Sequence, residues 1–193
     1  MEYRRLGRSG LQVSALSFGS WVTFSNQMDL GLAEACMVEA YEAGVNFFDN
    51  AEVYSSGAAE TIMGEVIKKT GWKQSDLVLS TKIFWGGPGP NQRGLSRKHI
   101  LEGTDAALRR LGLDYVDLYL MHWPVENKRL ESWTAMEELL SKGKCRAIGV
   151  SNFLVHHLNE LLEKTHVVPA VNQIEISPYN YLQRKDTIDL CRK

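Results

Sequence analysis

Strand and helix signals alternate along this chain about six times, and that alternation leaves few folds open to it. Apolar runs at residues 16–19, 45–50, 77–82, 116–122, 145–150 and 170–175 read as strands buried on both faces of a parallel sheet. Between them lie helical stretches at 32–43, 59–70, 96–110, 130–142 and 154–164, and a sixth starts at Arg184. Gly44 and Gly143 follow two of these as stops, and Ser96 suits an N-cap. Ahead of them, 3–6, Ser9-Gly10 and 11–13 predict a short β-hairpin. No low-complexity linker interrupts the pattern, so residues 1–193 read as a single domain. Repeated βα units imply a parallel sheet with right-handed crossovers, closed either as a doubly wound sheet or as a barrel.

The polar residues at the ends of those runs decide between the two. Asp49 follows Asn46-Phe47-Phe48, with Tyr54 shortly after; Lys82 ends Leu77-Val78-Leu79-Ser80-Thr81-Lys82; His122 ends Leu118-Tyr119-Leu120-Met121-His122. Each alone reads as a loop residue, a salt bridge or packing. Together they place an acid, a cation, a phenol and an imidazole at the carboxyl ends of consecutive strands, the face on which barrels do chemistry. The doubly wound alternative wants a G-x-G-x-x-G after the first strand, where this chain has Phe18-Gly19-Ser20-Trp21. The expectation is a (β/α)8 TIM-barrel type of fold, with about six of the eight units present, carrying a proton-transfer site.

Composition removes other classes. A net charge of -1, with Lys and Arg interspersed among Asp and Glu, gives no argument for a nucleic-acid partner or a charged membrane surface. No apolar run reaches the roughly 20 residues of a membrane span, so no membrane insertion is expected. Cys36, Cys145 and Cys191 are far apart, which suits neither a disulfide framework nor a zinc site and points to a reducing cytoplasm. No metal is expected. His156-His157 is adjacent on a helix, where neighbouring residues diverge. Gly86-Gly87-Pro88-Gly89-Pro90 lacks the Gly-Lys-Ser/Thr of a phosphate loop and reads as a mobile loop over the reactive face. Trp21, Trp85 and Trp123 each follow a strand and could wall an apolar pocket.

The sequence resembles the aldo-keto reductase family. The segments that carry the likeness are 44–54, 108–124, Gly143-Lys144-Cys145-Arg146-Ala147-Ile148-Gly149-Val150-Ser151-Asn152-Phe153, and Val171-Asn172-Gln173. Residues 1–113 are similar to the branch of potassium-channel β-subunits, through Trp21-Val22-Thr23-Phe24 and Lys82-Ile83-Phe84-Trp85-Gly86-Gly87. From Tyr119 on, His122-Trp123-Pro124-Val125 and 174–179 look more like the small prokaryotic reductases of aldehydes and ketones, so the chain reads as a join of two branches.

That resemblance implies NADPH-dependent reduction of a small carbonyl compound. Tyr54 matches the proton donor, Lys82 the cation that lowers the phenol's ordinary pKa of about 10, Asp49 the carboxylate that holds Lys82, and His122 the group that orients the carbonyl. Ser151, Asn152 and Gln173 match ligands of the nicotinamide carboxamide, with Trp21 and Asp49 also on the cofactor side. The seventh and eighth units of the family, which hold the pyrophosphate and 2′-phosphate, are expected to be missing. The alternatives implied are a cofactor-sensing regulatory subunit and an inactive barrel fragment that self-associates through open edges.

Overall fold

The protein is described by a computed structural model covering residues 1–21, 24 and 29–193. Strands β1 (Tyr3–Arg5) and β2 (Gln12–Ser14) pair antiparallel, with Arg4 opposite Val13. Their turn is closed by Ser9, whose hydroxyl donates to the Leu6 carbonyl at 2.6 Å. The Asn46 side chain joins this hairpin to the main sheet, donating to the Gln12 carbonyl at 2.9 Å and accepting from the Ser14 N–H at 2.7 Å.

The main sheet holds β3 (Phe18–Gly19), β4 (Phe47–Asp49), β5 (Val78–Ile83), β6 (Val116–Met121), β7 (Cys145–Ser151) and β8 (Asn172–Gln173), parallel and in chain order. Helices α1 (Leu30–Glu42), α2 (Ala58–Thr70), α3 (Arg97–Leu111), α4 (Arg129–Ser141), α5 (Val155–Lys164) and α6 (Tyr181–Cys191) accompany them. The six strands curl into an open part of a TIM-type barrel, and β3 and β8 are its edges among the described residues.

Period-two alternation sorts each strand between two cores. Phe48, Leu79, Ile83, Tyr119, Met121, Ile148 and Val150 face the helices, where they pack with Met37, Met63, Ile100, Trp133 and Leu161. Trp133, fully buried, donates its indole N–H to the Val167 carbonyl at 2.9 Å. The opposite face, inside the curl, holds Leu118, Leu120 and Ala147, plugged by Leu6 and Leu11 of the hairpin together with Phe47, Ala170 and Val171.

Strands β3 and β4 are shorter than their sequence expectation, two and three residues rather than four and six, and two later elements differ for a local reason. The sixth strand is two residues long rather than six, because the Asn172 side chain is taken by Phe153: its amide donates to that carbonyl at 2.9 Å and its oxygen accepts that N–H at 3.2 Å. On its outer side β8 has no neighbouring strand among the described residues to prolong the ladder. Helix α6 starts at Tyr181, ahead of 184, because Asn180 turns the chain there, its side-chain oxygen accepting the Ser177 N–H at 2.7 Å. Among the described residues, no helix is long and apolar enough to cross a membrane.

Candidate functional site

Register places the reactive residues on the inner face. Asp49 lies opposite Ser80, and Lys82, two residues further along β5, opposite Leu120. Lys82 is 1% exposed. Such burial of an ammonium needs every N–H occupied. Nζ has three oxygens in reach: Asp49 Oδ2 at 2.6 Å, the Asn50 carbonyl at 2.8 Å and Tyr54 Oη at 3.1 Å. The second Asp49 oxygen accepts the Ser80 hydroxyl at 2.6 Å. Ser80 was not among the sequence candidates, although its place two residues before Lys82 puts both on one face of the strand.

Tyr54 opens a single 3-10 turn, Tyr54–Gly57, in which Ser55 (φ 50), Ser56 (φ 55) and Gly57 (φ 90) are all left-handed. Two consecutive non-glycine residues in that region cost on the order of 1–2 kcal/mol each. Contacts compensate: the Ser55 hydroxyl donates to the Phe24 carbonyl at 2.7 Å, and the Tyr54 hydroxyl meets Lys82. Lys82 lowers the Tyr54 pKa through its charge and its hydrogen bond, in the direction expected from the sequence, but it does not set the net value. Burial raises the phenol above its ordinary value, and the opposing charge of Lys82 is smaller than that loss of solvation.

His122 follows β6, its backbone N–H donating to the Ile83 carbonyl at 3.1 Å. Its ring stands edge-on to Tyr54, 5.9 Å between centroids. Burial, reinforced by the Lys82 charge, lowers its pKa to about 4, so it is a neutral imidazole at physiological pH. Its Nδ1 is buried and has no hydrogen-bond partner among the described residues.

Ser151 ends β7 opposite Gln173 of β8, and Asn152 follows it. The Ser151 hydroxyl donates to the Gln173 carbonyl at 2.9 Å. Asn152, left-handed at φ 63, donates from its amide to the His122 carbonyl at 3.1 Å and to Ser151 Oγ at 3.0 Å. The Asn152 side-chain oxygen and the Gln173 carboxamide carry no hydrogen bond among the described residues. They leave an amide donor and acceptors of the kind a carboxamide needs, Asn152 being hydrogen-bonded to the backbone of His122. Trp21, 68% exposed, stacks on Tyr54 with centroids 6.3 Å apart. Val22 and Thr23, which belong to the same motif, lie outside the described residues. Trp85 stands 5.0 Å from His122 and 6.4 Å from Trp123.

Other expectations meet a different geometry. His156 and His157 bring their rings to 3.9 Å, rather than diverging, because the Leu154 N–H binds His157 Nδ1 at 3.1 Å and draws that ring back over the turn. The segment after β5 is internally bonded, with the Gly86 and Gly87 N–H groups both donating to the Gln92 carbonyl. A cavity of about 780 Å³ lies at the hairpin end, away from Tyr54, lined by Gly7, Ser9, Ile148, Leu158, Ala170 and Leu190. Its walls mix apolar side chains with Arg8, Arg146, His166 and Cys191, and include none of Asp49, Tyr54, Lys82 and His122.

The sequence matches a model of the aldo/keto reductase family over residues 15–193. Curated relatives include proteins described as probable voltage-gated potassium channel β-subunits from Arabidopsis thaliana, 48% identical over 186 residues, and from Oryza sativa subsp. japonica, 46% identical over 186 residues. Both alignments cover 95% of this chain, thus both of its segments, and 57% of the relative, so the chain spans little more than half their length. The crystal structure of a thermostable aldo-keto reductase in complex with the inhibitor epalrestat superposes with a TM-score of 0.86 at 29% identity, covering 99% of this chain and 69% of that one.

Proposed function

The chain belongs to the aldo/keto reductase family, and on that footing we propose that it is the catalytic part of an NADPH-dependent reductase that turns aldehydes or ketones into alcohols in the cytoplasm. The family supports an oxidoreductase with a nicotinamide cofactor in general terms. The observation that carries the finer reading is the Lys82 ammonium, which bridges the Asp49 carboxylate and the Tyr54 hydroxyl inside the curl.

Nicotinamide, when bound, supplies hydride to the carbonyl carbon. The protein supplies everything else. Asn152, Gln173 and Ser151 would hold the carboxamide end, with Trp21 beside it. His122, neutral at physiological pH, offers a ring N–H to the carbonyl oxygen and orients it. Tyr54, kept protonated by burial, holds its proton until that oxygen becomes basic, then donates it. The C=O π bond breaks, carbon gains hydride, oxygen gains the phenol proton, and the product is the alcohol. The phenolate left behind lies 3.1 Å from the Lys82 ammonium, which stabilises it until solvent returns the proton. Asp49 fixes Lys82 for that task.

Tyr54→Phe tests this. NADPH oxidation in the presence of an aldehyde should fall by roughly 10²- to 10⁴-fold, while quenching of tryptophan fluorescence by NADPH persists. Wild-type turnover that survives this substitution would remove Tyr54 from the reaction.

A second reading, favoured by the likeness to the plant channel β-subunits, is a regulatory subunit that senses the cofactor. NADPH binding with negligible aldehyde turnover, together with capture of a channel's cytoplasmic segment, would support it over the reductase.

A further inference from the structure

Glu52 and His99 are buried and ionisable, and the reaction above does not use them. Glu52 lies in the turn after β4, two residues before Tyr54. Its Oε1 accepts the Phe84 N–H at 2.6 Å, and its Oε2 is 3.3 Å from His99 Nε2. His99 sits in the first turn of α3, with Nδ1 2.7 Å from the Gly94 carbonyl. Both ring nitrogens thus face oxygen acceptors, which only an imidazolium, with an N–H on each nitrogen, satisfies in full. Burial pulls this ring downward, but the hydrogen bond and charge of Glu52 and the Gly94 carbonyl outweigh it, leaving its pKa above the ordinary imidazole value.

The two bonds grip the two stems of one loop. Between Phe84 and Gly94 the chain doubles back: the Gly94 N–H donates to the Phe84 carbonyl at 2.8 Å, and Trp85 bridges Arg93. Glu52 holds the first stem at Phe84, and His99 holds the second at Gly94. The loop closes directly on the pair, for a Cβ at Gly86 would lie 2.8 Å from both Glu52 Oε2 and His99 Nε2. The residue that the loop carries toward the reactive face is Trp85, edge-on to His122 at 5.0 Å and packed on Phe84 at 4.2 Å.

We propose that Glu52 and His99 form a buried latch that fixes the 84–94 loop by both stems and, through Trp85, sets the width of the cleft beside His122. They are positioning residues, and they select carbonyl compounds by bulk. The second clause rests on the reductase reading; the latch itself does not.

Hydrogen–deuterium exchange of the full chain reads the latch without any turnover. In His99→Ala, peptides covering 84–94 should exchange about tenfold faster, while those of 116–121 keep their protection. His99→Gln, which can still donate to one of the two oxygens, should recover part of the difference. Unchanged exchange at 84–94 in a folded His99→Ala protein overturns the latch. If His99→Ala does not fold, Glu52→Gln takes its place: it keeps the acceptor for Phe84 but loses the carboxylate, and unchanged exchange there overturns the latch as well.

Selectivity is read with a small aliphatic and a bulky aromatic aldehyde. The ratio of their kcat/KM values should shift by about tenfold in His99→Ala, with kcat for the small aldehyde within about twofold of wild type. Trp85→Ala should give the same shift, and adding His99→Ala to it should give no more. A loosened loop with an unmoved ratio overturns the role in selectivity. Absence of turnover in the wild type overturns the reductase reading and, with it, that second role, while the exchange measurement still decides the latch.

Discussion

At the scale of single residues, Lys82 sets the terms. A cation that is 1% exposed persists because Asp49, the Asn50 carbonyl and Tyr54 use all three of its donors. Removing one member of a buried pair strands the other. Lys82→Met should therefore lower stability by about 3–5 kcal/mol in denaturant titrations, because it leaves Asp49 without its cation. Asp49→Asn combined with Lys82→Met should recover a good part of that loss, and a double variant no more stable than the single one would contradict it. His122 gives the pH dependence. Its folded pKa of about 4 lies below its ordinary 6.5, so between these values the unfolded chain binds the proton more readily. The contribution of this group is fully present above pH 6.5 and is lost as the pH falls through about 4. A ring-proton NMR titration should show no transition for His122 near pH 6.5. In His122→Asn, acid destabilisation across that window should be shallower.

At the scale of elements, close approach outranks propensity. Gly64 lies mid-way along α2, where Ala would be favoured over Gly by about 1 kcal/mol. A Cβ there would meet the Leu111 carbonyl oxygen at 2.5 Å and that of Arg110 at 2.8 Å. These are backbone atoms at the end of α3 and cannot swing aside. Gly64→Ala should thus destabilise, by about 1–3 kcal/mol from overpacking, and a rise in melting temperature would show that α2 and α3 separate freely. The ends of the helices were partly legible in the sequence. Gly44 (φ 91) and Gly143 (φ 70) take the left-handed turn that glycine favours, and Ser96 accepts the His99 N–H at 3.1 Å as the N-cap of α3. The shortness of β8 was not legible, because it depends on Asn172 binding Phe153 across to the end of β7.

At the scale of the whole molecule, two features stand together. β3 and β8 are free edges of the sheet among the described residues, and the cavity near the hairpin leaves core side chains uncovered. Val168, Ile176, Leu182 and Tyr179 are between 52% and 97% exposed. Unpaired parallel edges flanked by apolar surface favour association. The 21.8 kDa chain should therefore elute as a dimer or larger in size-exclusion chromatography with light scattering. NADPH should bind it weakly, since residues are proposed only for the carboxamide end, and charged hydrogen bonds to phosphates supply much of such affinity. A strict monomer with roughly micromolar or tighter affinity would refute both expectations.

The sequence by itself determined the order and type of the elements, the parallel sheet, the family, and the positions of Asp49, Tyr54, Lys82 and His122. The elements and the sheet follow from periodicity and from polar residues ending apolar runs, which are local properties, whereas the family and the roles of the four residues were read from resemblance to its motifs. Tertiary structure alone decided the rest. Ser80 joins Asp49 through strand register, and Glu52 meets His99 from 47 residues away. The Tyr54 phenol is raised rather than lowered because burial outweighs the cation beside it. Solvation belongs to a side chain's surroundings, and those are assembled from strands and helices far apart in the chain.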